Sequence, residues 1–84
     1  MEITVEAWGK LQQGSGSVAI AVNFLDHDNY RGIGFSVDQP DWTFYESDET
    51  LLVKRGEKLS IHIGAGGIVP GSILVDMLGV RKVN

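Results

Sequence analysis

Apolar and small or polar residues alternate with a period of two through most of the chain, the pattern of strands with two unlike faces. In Glu2–Leu11, Ile3, Val5 and Ala7 share one face, and Thr4, Glu6 and Trp8 the other. In Ser17–Asp26, Val18, Ile20, Val22 and Phe24 form the expected core face, with Ala19, Ala21, Asn23 and Leu25 opposite. In Tyr30–Val37, Ile33, Phe35 and Val37 point in, and Gly32, Gly34 and Ser36 point out. A solvated strand face ordinarily carries Lys, Glu and Thr. The outward positions here carry a Trp among Ala, Gly, Ser and Asn. Small side chains leave a trough on a sheet and a large aromatic gives it a wall, so the pattern predicts a shallow binding groove.

The segments between turns are rich in Val, Ile, Phe, Trp, Tyr and Thr. The turns fall at Gln12–Ser17, Asp26–Asn29, Asp38–Asp41 (with Pro40), Glu46–Glu49, Arg55–Lys58 and Gly64–Gly71. Strands at such regular spacing predict an all-β fold, an antiparallel β-sandwich or barrel. No window of helical length carries a 3.6-residue period. Leu74–Val80 reads as a short helix or a strand, and its β-branched neighbours favour the strand. The expected core is Ile3, Val5, Val18, Ile20, Val22, Phe24, Ile33, Phe35, Leu59, Ile61 and Ile63, lying between two antiparallel sheets.

The chain's 84 residues suit one domain spanning 1–84, near the small end of what folds alone. It has no Cys, so neither disulfides nor thiolate metal sites can support it. The net charge is −4, and no basic run is longer than Lys54-Arg55. Nucleic acid is not an expected partner, because neutralising phosphates needs a cationic patch. No apolar run reaches membrane-spanning length, and Met-Glu-Ile-Thr-Val reads as a strand with no signal-peptide pattern. No membrane partner is expected, and the sequence assigns no compartment.

The order of the segments resembles a known family. The residues that carry the likeness are Ile3–Lys10, Ser17–Asp26, Gly34–Val37, Asp41–Tyr45, Lys58–Gly64 and Ser72–Val80. Together they resemble the C-terminal part of a carbohydrate-binding module with the galactose-binding-like jelly roll. The points of likeness are a first strand with an aromatic near its end, a Gly/Ser turn, an alternating strand, a Trp-bearing strand and a final strand with the pattern Val75-Asp76-Met77-Leu78. The resemblance implies a truncated jelly roll and a non-catalytic role in holding an associated hydrolase on its substrate. The cell-wall-binding domain of a phage lysin is one such case, which would act at the cell wall or outside the cell. The family's N-terminal segment, with one or two further strands and a Gly-Trp region, has no counterpart here. Its calcium ligands come partly from that segment. Only Asp76 matches one of them, so neither a metal nor a cofactor is expected.

The candidate ligand-binding residues are Trp8, Asn23, Arg31, Tyr45 and His62. Trp8 is either a platform for the apolar face of a pyranose ring or a packing residue at a subunit contact or under a loop. Trp42 and Phe44 share a parity that reads as inward, with Trp42 closing the sandwich as the resemblance implies. Tyr45 then faces out, toward a ligand. Asn23 and His62 take outward strand positions, and amides and imidazoles both donate to and accept from sugar hydroxyls. Arg31 begins a strand beside Tyr30 and caps the groove or serves as a surface charge. Asp26-His27-Asp28-Asn29 reads as a polar turn, since it lacks the glycine and distal Glu of an EF-hand loop. Gly64–Gly67 is no phosphate loop, since no Lys-Ser/Thr follows.

Catalysis is not expected. No Cys is present, no Ser sits in a nucleophile elbow, and Asp48-Glu49 lies in a solvated turn. The expected partners are a polysaccharide or bacterial cell-wall glycan, the catalytic domain of a parent enzyme, and a second copy of the chain in a homodimer. Leu25, Leu74 and Leu78, which have no comfortable place inside one sandwich, are the expected dimer contact. The alternative is a structural oligomerisation domain, as in a phage tail or fibre, that binds no sugar.

Overall fold

The structure is a computed structural model that describes residues 1–65 and 71–83. Among the described residues seven strands are formed: β1 (Glu2–Gln13), β2 (Gly16–Val22), β3 (Arg31–Val37), β4 (Thr43–Glu46), β5 (Leu51–Leu52), β6 (Leu59–Ala65) and β7 (Ser72–Val83). The described residues contain no helix. Leu74–Val80 belongs to a strand, in keeping with its β-branched neighbours.

The strands make an antiparallel β-sandwich. In one sheet β1 is central, flanked by β7 on one edge and by β4 and β5 on the other. The second sheet has the order β3-β2-β6. The chain crosses between layers at each of the β1–β2, β3–β4, β5–β6 and β6–β7 connections. Gly14, with φ 66°, makes the short crossing from β1 to β2. Alternation buries Ile3, Val5 and Ala7 of β1 against Val18, Ile20 and Val22 of β2, with Ile33, Val37 and Leu51 completing the core. Phe35 is only half-buried at its margin.

Three expectations about facing are corrected. Phe24 is 53% exposed, not in the core. The preceding Asn23 has φ 54°, a left-handed conformation that Asn tolerates and that ends the alternation of β2. Phe24 therefore turns to the outer face, where its ring lies 4.2 Å from that of His62. The parity of β4 is the reverse of the one expected. Its register sets Tyr45 opposite Ala7 and Phe44 opposite Trp8, so Tyr45 points in while Trp42 and Phe44 are exposed. Tyr45 suits the inward place because its ring stacks on Phe35 at 5.4 Å while its hydroxyl accepts hydrogen bonds from the amides of Asp38 and Gln39.

The third correction concerns β6. Leu59, Ile61 and Ile63 lie on the inner side of their sheet, paired with Val22, Ile20 and Val18, yet they are 42%, 49% and 55% exposed. The parity is as expected and the cover is not. Opposite them the first sheet ends at β7, which packs beneath β2: Ile73 of β7 fills the space a side chain at Gly16 would take. The second sheet overhangs the first by the width of β6. The expected connection at Gly64–Gly71 falls largely on residues 66–70, and Gly64–Gly67 partly so, outside the described residues.

Candidate functional site

The largest exposed aromatic group lies on the outer face of β1 and β4. Trp8 meets Phe44 edge to face at 5.7 Å and 61°, a geometry that leaves both rings partly open. Trp42, just before β4, is also exposed. Across the β1–β7 ladder Trp8 is paired with Asp76. Between that pair and the Glu6–Gly79 pair, Ala7 alone faces both Met77 and Leu78, so β7 carries a bulge there. Met77 occupies the bulge at φ 53° and projects outward, while Leu78 keeps to the core. Trp8, Trp42, Asp76 and Met77 line an open depression of about 320 Å³. One carboxylate oxygen of Asp76 accepts the Met77 amide at 2.8 Å, which fixes the carboxylate at the rim.

The other expected ligand residues lie elsewhere. Tyr45 is inside, as described above. Asn23 and Arg31 meet at one end of the sandwich, where both hold Glu57. Asn23 Nδ2 donates to Glu57 Oε2 at 2.9 Å, and Arg31 Nη2 donates to Glu57 Oε1 at 2.7 Å and to the Leu52 carbonyl at 2.6 Å. The Lys54 amide also donates to Glu57 Oε1, at 2.7 Å. The Arg31 guanidinium, followed by the Lys54 amide, holds the Glu57 carboxyl down to about 2. Asn23 and Arg31 thus tie the β2–β3 connection to the β5–β6 connection.

His62 lies on the outer face of the second sheet, opposite Ala19, with its Nε2 at 2.8 Å from Ser60 Oγ. This face does carry the expected trough of small residues, from Ala19 and Ala21 to Gly32, Gly34 and Ser36. Its wall is Phe24, Tyr30 and His62, with Phe24 and Tyr30 meeting edge to face at 6.1 Å. Tyr30 lies back over Gly32, and Ala21 beside it is only 1% exposed. The expected single groove is therefore divided: the trough lies on one sheet, and Trp8 on the outer face of the other.

Sequence reasoning does not gather Trp42, Phe44, Asp76 and Met77 around Trp8. The first two read as inward by parity, and the last two depend on a long-range register. Asp26–Asn29 is a polar turn. Asp26 accepts the Asp28 amide and the Asn29 side-chain amide, and these bonds, the second first, lower its carboxyl from the ordinary value. Among the described residues no three His, Asp or Glu side chains converge as metal ligands. Comparison with models of protein families, with curated proteins and with solved structures finds no match to this chain.

Proposed function

We propose that this chain is a non-catalytic module that binds a polysaccharide or bacterial cell-wall glycan and carries an associated catalytic domain to it. The observation that carries this reading is the group of three exposed aromatics, Trp8, Trp42 and Phe44, on one sheet face with the Asp76 carboxylate at its edge. Aromatic faces cover the C–H face of a pyranose, and a carboxylate accepts hydrogen bonds from its hydroxyls. The site is shallow and open, which suits a chain-like ligand that passes across it. A jelly-roll kinship rests on the sequence resemblance alone. The carboxyls of Asp26 and Glu57 are shifted down and tied by hydrogen bonds, the reverse of what a general acid needs.

A second reading, a structural oligomerisation domain, draws on a different observation, the uncovered inner side of β6. Retention on insoluble polysaccharides and isolated cell walls separates the two. Under the glycan reading the chain is retained, Trp8→Ala abolishes retention while leaving Tm nearly unchanged apart from the loss of the Phe44 contact, and added salt has little effect because stacking and neutral hydrogen bonds are weakly screened. Retention unaltered by Trp8→Ala, or no retention on any of these solids, overturns it.

A further inference from the structure

We infer that the overhanging strand β6 and the neighbouring edge of β7 are the contact between two copies of this chain, joined about a two-fold axis running along the strands. The starting point is a contrast within one sheet. Val18, Ile20 and Val22 of β2 are fully buried, while their direct partners Ile63, Ile61 and Leu59 of β6 are 55%, 49% and 42% exposed on the same inner side. Val80, on the inner side of β7 opposite Val5, is also 40% exposed, and Lys82 follows it on that side opposite Ile3 at the end of the strand. The strip carries no charge on β6.

The occupant is fixed by the shape. An overhang in one layer leaves a recess of one strand's width in the other. The piece that fills it is a strand with its own apolar inner side, set in the opposite layer. A second copy turned about an axis in the midplane supplies that piece: its β6 enters the recess beside β7, and its own recess receives β6. Strand directions agree. β2 starts where β1 ends and pairs antiparallel with β6, while β7 pairs antiparallel with β1, so β6 and β7 run opposite ways. The axis preserves direction, so β6 of one copy meets β7 of the other as an antiparallel neighbour. Among the described residues each of these strands has pairing on one edge only, β6 with β2 and β7 with β1. The joint completes two continuous sheets and leaves no further copy of the contact open, as a closed two-fold dimer requires.

The area is of the right order. Taking roughly 200 Å² for a fully open Leu or Ile, the four residues leave on the order of 350 Å² open per copy, about 700 Å² for two, toward the ~1,200 Å² of a specific interface. The reciprocal strand edges, seven residues long in β6, supply the remainder. The contact differs from the one expected at Leu25, Leu74 and Leu78. Leu25 is in an exposed turn, Leu74 is on the outer face of β7 and Leu78 packs on the core.

Sedimentation of the 84-residue chain across the micromolar range tests this. The wild type is a dimer, Ile61→Lys is a folded monomer with association weakened about a hundredfold or more, and Leu25→Lys remains a dimer. A wild-type monomer, an open series of larger species, or a dimer lost in Leu25→Lys but kept in Ile61→Lys overturns the assignment. Should Ile61→Lys not fold, cross-linking decides, since the chain has no native cysteine. A short bismaleimide then joins two copies of Ile61→Cys and leaves Leu25→Cys unjoined; the reverse result refutes the joint.

Discussion

Two buried hydroxyls sit close together on this small fold and differ in what they do. Ser47 lies between β4 and β5, where its Oγ accepts the Val5 amide at 3.2 Å and donates to the Glu49 carbonyl at 3.0 Å. It continues the ladder across a break in the edge. Thr4 is 6% exposed, and its Oγ1 has no partner among the described residues. A buried polar group stabilises only when it is paired. Ser47→Ala should therefore cost about 1–3 kcal/mol, and Thr4→Val, nearly the same shape, should be neutral or stabilising by up to about 1 kcal/mol; urea unfolding measures both. Glu57 gives a prediction of another kind. Its carboxyl is held down to about 2 by Arg31 first and the Lys54 amide second. A group with a lowered folded value contributes stability above its ordinary range and loses it as the pH falls toward the folded value. Tm should thus fall between about pH 4.5 and pH 2, and Glu57→Gln should flatten that part of the profile. An unchanged profile in the variant contradicts the role given to Glu57. The Ser47–Glu49 and Lys54–Glu57 bonds are local to single connections, whereas Val5–Ser47 and Arg31–Glu57 join residues far apart in the chain and are not visible in the sequence.

At the scale of elements, alternation succeeds where the other sheet covers the inner side of a strand. It gives the inward positions of β1, β2 and β3 correctly, although Thr4 and Ala21 on the outer side are buried as well and Phe35 is only half-buried. It fails in β4, whose four residues are too few to show which parity is inward, so the register with β1 decides. It fails at Phe24 because one left-handed residue, Asn23, reverses the facing of the residue after it. The bulge in β7 is a third departure. Met77 holds φ 53° although it is not glycine, and its side chain is 75% exposed. A left-handed non-glycine residue carries about 1–2 kcal/mol of backbone cost, and little packing is lost on removing an exposed side chain. Met77→Gly should therefore raise stability by about 0.5–1 kcal/mol in thermal or urea unfolding. A clear loss would mean that Met77 packs on Trp8 or Trp42 more firmly than its exposure implies.

For the whole molecule, the sequence supports an antiparallel β-sandwich, and the structure has one. The stagger of its two sheets is not legible in the sequence, because parity tells which side of a strand is apolar and says nothing of what lies opposite. That is why Leu59, Ile61 and Ile63 read as core. The candidate site is legible in part: the outward place of Trp8 is given by alternation, while its companions depend on how β4 and β7 align with β1. The outcome is a face that holds both of the chain's tryptophans, Trp8 and Trp42. The tryptophan fluorescence of the unmodified protein therefore reports on that face alone. The most direct measurement is a titration of tryptophan emission with soluble fragments of cell-wall glycans and common polysaccharides. The proposed function predicts a saturable blue shift with at least one of them, reduced by Trp42→Phe and lost in Trp8→Ala. Emission that stays unshifted with a glycan that demonstrably binds the protein, or that shifts equally in Trp8→Ala, would contradict it.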